Sequence, residues 1–246
     1  MLKYIILGIV QGITEFLPVS SSGHLVIMQK LIGATEQAVA VSIVLHLGTS
    51  LALIIFFFND ILNLLRNMRL LSYIIIVTLV TGIIGISGKG FFEKLFNSPR
   101  LVAVALIFTG TILILTKKFI EAKRSVLNIK DAFILGLTQG LAIIPGVSRS
   151  GITISTLLFR GIDRQTSFRF AFLASIPAVF GAAILEAKDI SLAFMDFKPL
   201  IIGFIFSLLA GILSLKILKI ILKHAKLYYF GYYCIIIAVI TLLLIR

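Results

Sequence analysis

The sequence predicts an all-α integral membrane protein: six transmembrane helices plus two re-entrant helical hairpins, arranged as two inverted-topology repeats. Three observations carry this expectation. Of 246 residues, 59% are hydrophobic and 13% charged, with a mean hydropathy of +1.14, far above a soluble domain. Residues 7–23, LGIVQGITEFLPVSSSG, align without a gap on residues 135–151, LGLTQGLAIIPGVSRSG, at an offset of 128. Both copies are interrupted midway by proline and turn polar at once. The short alternating segments of a transmembrane barrel are not found.

The duplication rests on matches that shared greasiness does not produce: Gly8/Gly136, Gln11/Gln139, Gly12/Gly140, Ser20/Ser148, Ser22/Ser150 and Gly23/Gly151. The first segment, behind Lys3, imitates a secretory signal with a cleavage site near SSSG. Its mid-chain copy argues that it is retained. Pro18 lacks an amide donor and clashes with the preceding turn, so a first half-helix should end there. The serine cluster then suits the N-cap of a second half-helix, from about Ser22 toward Ile32. Apolar runs at 38–58, 70–88 and 101–117 read as spans. The second broken segment follows, around Pro145 and Gly146, and the spans recur at 166–186, 198–216 and 229–245.

Residues 1–246 therefore read as one membrane domain with repeats of approximately 1–118 and 129–246. Three spans per half is an odd number, which turns the second half upside down. The two hairpins then enter from opposite faces and meet near the midplane, where broken backbone must be enclosed by protein or line a wet cavity.

A net charge of +13 would suggest nucleic acid in a soluble protein, but here Lys and Arg lie in short loops between apolar runs. Membrane sidedness explains them, and no nucleic-acid partner is expected. Fourteen fall on the face holding residues 66–69, 117–130, 160–169 and 216–226, and eight on the other. The first face should be cytoplasmic, with both termini and the first hairpin on the outer side of the plasma membrane. Cys234, the only cysteine, reads as a small core residue. The FFF run at 56–58 and the tyrosines at 228–233 read as interface anchors.

Chemistry concentrates at the two breaks. Gln11 and Glu15 are four apart and share a helix face just ahead of Pro18, with Ser20, Ser21, Ser22 and His24 just behind it. A carboxylate at membrane depth marks a functional site by default. In the second copy Arg149 stands between Ser148 and Ser150 at the start of a half-helix, whose amides and dipole favour an anion. Its guanidinium fork matches phosphate oxygens, and Gly146 and Gly151 allow close backbone approach. Plainer readings exist: Ser22, Ser150, Gly23 and Gly151 as helix-packing residues, and Glu15–Arg149 as a structural ion pair, which leaves His24 and the hydroxyls without a part. His46, in LHLGTS, reads as a hydrogen-bonded core histidine near the site. In the alignment Ser21 meets Arg149, Glu15 meets Ile143 and His24 meets Ile152, so acid, base and nucleophile candidates sit in copy one and the cation in copy two. Ser21 and Arg149 are expected to face each other across one pocket.

QGITEFLPVSSSGH and PGVSRSGIT resemble the two signatures of the undecaprenyl-diphosphate phosphatase family of bacitracin-resistance membrane phosphatases, and the resemblance covers the whole chain. It implies hydrolysis of the polyprenyl diphosphate lipid to undecaprenyl phosphate and inorganic phosphate, at a site facing the outer side, recycling a cell-wall lipid carrier. It places the family's acidic pattern on Gln11 and Glu15, its serines on Ser20 and Ser21, its histidine on His24, and its phosphate-binding arginine on Arg149 beside Ser148, with Thr153 closing the second motif. Some members have Glu where this chain has Gln11. A divalent cation, Mg or Ca, is implied as a helper, with Glu15 as a possible ligand, although Gln is a weak one. Three nucleophiles fit the pattern: Ser21 with Glu15 as base, a water activated by Glu15, or His24. His24 is otherwise expected to orient Glu15 or to protonate the leaving phosphate. The rival from another class is a secondary transporter or lipid-carrier flippase with an Arg-lined anion site, since broken helices in inverted repeats also build transporters.

Overall fold

A chain this apolar satisfies its backbone in hydrocarbon most simply by helices. Among the described residues, 1–31, 38–96, 98–119, 124–187 and 197–244 of a computed structural model, every regular element is helical apart from one isolated bridge, Arg124–Ile162. The order is α1 (Leu2–Phe16), α2 (Ser21–Leu31), α3 (Ala38–Phe56), α4 (Phe58–Leu65), α5 (Met68–Ser87), α6 (Lys89–Phe96), α7 (Pro99–Leu115) with a 3-10 turn to Lys118, α8 (Ile129–Leu141), α9 (Arg149–Phe159), α10 (Arg164–Ala187), α11 (Phe197–Lys223) and α12 (Tyr228–Leu244). Three are long and apolar enough to cross a membrane: Met68–Ser87, Pro99–Lys118 and Phe197–Lys223. A fourth counts if α3 and α4, which meet at 70°, form one broken span. The protein is an integral membrane protein on this ground.

Several boundaries differ from the sequence reading. Beyond the expected span of 38–58, residues 58–65 form α4, whose apolar side holds Ile61 and Leu64 while Asp60 faces Arg169 at 3.2 Å. Residues 89–96 form the short helix α6, and α11 continues seven residues beyond 216 because its lysines fall on exposed positions of an otherwise leucine- and isoleucine-rich helix. Ile32, Lys123, Lys188, Arg246 and residue 245, which entered the helix and sidedness expectations, lie outside the described residues.

Packing is dominated by contacts between the two halves. α1 lies along α11 and α8 along α5, while α7 pairs with α12. Small residues make the close approach possible: Gly8 and Gly12 meet Gly203, Ser207 and Gly211, so an added methyl would strike backbone on the other helix. Gly110 and Gly231 do the same between α7 and α12. The Ser207 hydroxyl donates to the Leu45 carbonyl at 2.7 Å, tying α11 to α3. An aromatic cluster of Phe16, Phe57, Phe168 and Phe172 fills the space between α1, the α3–α4 bend and α10.

The start of α8 is pinned by charge. Asp131 has no exposed surface; it accepts two bonds from the Arg124 guanidinium, at 2.7 and 2.9 Å, and one from Arg160 Nε at 3.0 Å. Asn128 closes a capping box with it. Burial pushes the Asp131 carboxyl up, but bonds from Arg124, Asn128 and Arg160 outweigh this and hold it below its ordinary 3.8. Its contribution is therefore complete above that value and is lost as pH falls through the lower folded one. Asp131→Asn should cost about 3 kcal/mol, the low end for a broken buried pair because both arginines keep partial contact with solvent. Thermal unfolding in detergent should show the gap between wild type and variant narrowing from pH 5 to pH 3.

Candidate functional site

The site forms where the two broken segments meet. α1 ends at Phe16, and the Leu17–Ser20 break holds Ser20 at φ +70°, a left-handed conformation that re-aims the chain into α2. In the second break Gly146 has φ +96°, and a Cβ there would collide with the Val102 carbonyl, so glycine is required. α2 and α9 begin at Ser21 and Arg149, and each has 11 residues. The tips touch reciprocally: Gly23 packs toward Gly146, and Gly151 against Pro18. Freed backbone groups find partners, since Thr109 donates to the Gly146 carbonyl at 2.9 Å and receives the Ser148 amide at 3.1 Å. The Cys234 thiol points at the Pro18 carbonyl at 3.6 Å.

At this junction Glu15 Oε1 accepts from Arg149 at 2.5 Å. Glu15 Oε2 accepts the Ser21 hydroxyl at 2.6 Å and the Gln11 amide at 3.1 Å, and His46 Nε2 stands 3.6 Å from it. The Glu15 side chain is 5% exposed and that of Arg149 26%. One carboxylate thus joins the two halves, with Ser21 and Arg149 on its two oxygens. The arginine's reach is fixed by α9, where the Ser148 hydroxyl caps Gly151 N at 3.2 Å and Thr153 donates to the Arg149 carbonyl at 2.7 Å.

The remaining sequence candidates are placed as follows. Ser20 and Ser22 pair through their hydroxyls at 3.3 Å, and Ser148 and Ser150 pair at the same distance in the second tip. Gln11 is fully buried and its Oε1 has no partner. His24 is not brought to Glu15: its Nδ1 bonds the Ser20 carbonyl and its Nε2 the Tyr233 hydroxyl, both at 2.8 Å, with the two rings stacked. The histidine beside the carboxylate is His46. Tyr233, read as an interface anchor, is instead the partner of His24, a contact across 209 residues that no local pattern announces.

An open cleft of about 350 Å³ reaches Glu15 and Arg149 from the α3–α10 side. Its walls mix the hydroxyls of Thr49, Ser50, Ser150, Thr153 and Ser175 with hydrocarbon such as Phe172. A guanidinium at a helix start beside a hydroxyl already bonded to a carboxylate has the parts for binding and attacking a phosphoryl group.

The family model described as "Bacitracin resistance protein BacA" matches residues 4–240. The chain belongs to the BacA bacitracin-resistance family. It is 43% identical to an undecaprenyl-diphosphatase of Carboxydothermus hydrogenoformans, over 98% of this chain and 95% of that one. It is 41% identical to the enzyme of that name from Halothermothrix orenii, covering 98% and 97%. An undecaprenyl-diphosphatase of Methanosphaera stadtmanae matches at 38%, covering 99% and 98%. Within this BacA chain, both signature segments lie inside the matched residues, and both converge on Glu15.

Proposed function

We propose that this protein hydrolyses undecaprenyl diphosphate to undecaprenyl phosphate and inorganic phosphate, recycling the lipid carrier of cell-wall synthesis and conferring bacitracin resistance. The observation that carries the reading is the Ser21–Glu15–Arg149 cluster at the facing ends of two half-helices, in a chain whose near-full-length relatives bear that enzyme's name. Those names favour hydrolysis over the transporter or flippase reading.

In the proposed mechanism the terminal phosphate enters the junction and takes Arg149 over from Glu15, with the first amides of α9 adding to the clamp. Ser148, Ser150, Thr153 and Gly146 shape that clamp; Gln11, Ser20 and Ser22 hold the opposite tip. Ser21 Oγ attacks phosphorus in line, its proton passes to Glu15 Oε2, and the bond to the lipid phosphate oxygen breaks. Water then releases phosphate from the phosphoserine. His24, with both ring nitrogens committed to Ser20 and Tyr233, is fixed apart from this transfer and would serve the leaving phosphate only by giving up Tyr233.

A divalent ion held by protein alone is not well provided for: the site offers one carboxylate, already paired with Arg149, and the neutral Gln11. Among the described residues no group of three or more His, Cys, Asp or Glu comes together. Mg or Ca is therefore assigned to the diphosphate itself, and no step is routed through it.

The architecture proposed for this chemistry is that of six spans and two re-entrant hairpins in inverted repeats of approximately 1–118 and 129–246. The equal lengths of α2 and α9 and the reciprocal tip contacts support it. The loop charges support a plasma-membrane protein whose site opens to the outer side.

Purified in detergent, where transport has no meaning, the protein should release phosphate from a prenyl diphosphate; no release under varied pH and ions removes the enzyme reading. Arg149→Ala should lower kcat/KM by at least about 100-fold, and Arg149→Lys, which keeps charge but loses the fork, by about tenfold. Rapid quench with substrate labelled in the terminal phosphate should trap labelled protein, and Ser21→Ala should trap none. Exhaustive chelation should leave the melting temperature of the substrate-free protein within about 1 °C, since an ion that does not bind the folded chain alone cannot stabilise it. On intact cells, an impermeant maleimide should label Lys3→Cys and spare Lys118→Cys.

A further inference from the structure

The mechanism leaves a proton on Glu15, a carboxylate whose neighbours make it a poor place to keep one. Arg149 holds Oε1, while Ser21 and Gln11 already donate to Oε2. His46 is the only other titratable group at that oxygen among the described residues, with Nε2 at 3.6 Å, too long for a hydrogen bond. Its other nitrogen is decisive. Nδ1 lies 2.8 Å from the Ser42 carbonyl, which can only accept, so Nδ1 carries a hydrogen. In the neutral ring the nitrogen facing Glu15 is then the unprotonated one, and a carboxylate and a ring lone pair have nothing to share until a proton arrives. Thr49 and Ser50, one turn on, donate to the backbone carbonyl of His46 at 2.9 and 2.7 Å.

We propose that His46 is the proton-holding partner of Glu15, a positioning residue that acts through that carboxylate. When the substrate phosphate draws Arg149 away, Glu15 loses its cation at the moment it receives the Ser21 proton. The Ser21 O–H bond breaks as the Oγ–P bond forms, the lipid phosphate leaves with the P–O electron pair, and Glu15, released from Arg149, closes the 3.6 Å gap so that the proton crosses from Oε2 to His46 Nε2. The result is an imidazolium beside a carboxylate, the pair that replaces Arg149–Glu15. In the second half-reaction a water oxygen bonds to phosphorus as the P–Oγ bond breaks, the proton held on His46 returns through Glu15 to Ser21 Oγ, and the proton lost by the water leaves with the released phosphate.

The charged groups around His46 are few. α1 presents Glu15, and α9 presents Arg149 beyond it. α11 meets α3 here through Ser207, with Lys198 nine residues earlier, about 13 Å along the helix. α10 brings Ser175 and Phe172 to the same cleft, begins with Arg164, and pairs Arg169 with Asp60 at 3.2 Å. α2 turns His24 to Tyr233.

This inference rests on the hydrolase reading, so one arm of its test does not use activity. The chain has three histidines, and His24→Gln with His224→Gln leaves His46 alone. Nitrogen-15 NMR of that histidine should give the Nδ1–H tautomer at high pH; the Nε2–H tautomer would overturn the proposal even in an inactive protein. In the activity arm, His46→Gln should lower kcat at least tenfold with KM within twofold. Added imidazole should restore part of the activity of His46→Ala. Wild-type kcat in His46→Gln, or loss in His46→Ala that imidazole leaves untouched while the folded peak persists, refutes the role. If the wild type releases no phosphate, the hydrolase reading fails, and the tautomer alone still reports on the Glu15–His46 geometry.

Discussion

The ion pair between Glu15 and Arg149 is the constraint on which the arrangement depends. A carboxylate only 5% exposed is tolerable here because a cation meets it, since alone it would bear an uncompensated desolvation cost on the order of several kcal/mol. Their helices belong to different halves of the chain, so the pair forms only when α1 and α9 are brought end to start. That meeting in turn requires both helices to stop inside the protein, which leaves backbone groups to be satisfied without water. Ser148, Thr109 and Cys234 supply partners at the breaks. The close packing of α1 on α11 and α8 on α5 then holds each half-helix against a long helix of the opposite half.

This dependence explains why small residues gather where they do. Gly8, Gly12, Gly203 and Gly211 bring α1 near enough to α11 to fix the direction in which Glu15 leaves the helix end. A bulkier contact would displace the carboxylate laterally, and an error of an ångström there is an error in the serine's hydrogen bond. The glycines of this interface are thus part of the site's precision, although none touches it.

Much of this was legible from residues alone. The offset of 128, read from Gly, Gln and Ser matches, pairs Ser21 with Arg149, and those residues open α2 and α9. Pro18 marked the first break because its chemistry is local. Other features were not local and left no signal. His24 follows the serines in sequence and so looked like the partner of Glu15, but one helical turn from Ser20 its Nδ1 reaches that residue's carbonyl instead. His46 belongs to a different helix, and only the docking of α3 beside α1 carries it to the carboxylate. α4 lies almost wholly beyond the apolar run, which ends at 58, and its Asp60 finds Arg169 only once α10 packs beside it.

Gln11 gives the charge balance of the site its particular form. With Glu15 and Arg149 cancelling, the junction is near neutral before substrate arrives, and a diphosphate then brings a surplus of negative charge. A second carboxylate at position 11 would deepen that surplus and call for a metal ion to offset it. The amide instead donates to Glu15 at 3.1 Å and adds no charge. In the proposed chemistry that surplus is met by the divalent ion assigned to the diphosphate, while the His46 nitrogen 3.6 Å from Glu15 is placed to take the proton that Ser21 gives up. A neutral amide at position 11 and a protonatable ring at position 46 thus meet at the same carboxylate oxygen, one donating a hydrogen to it and the other turned toward it with a lone pair.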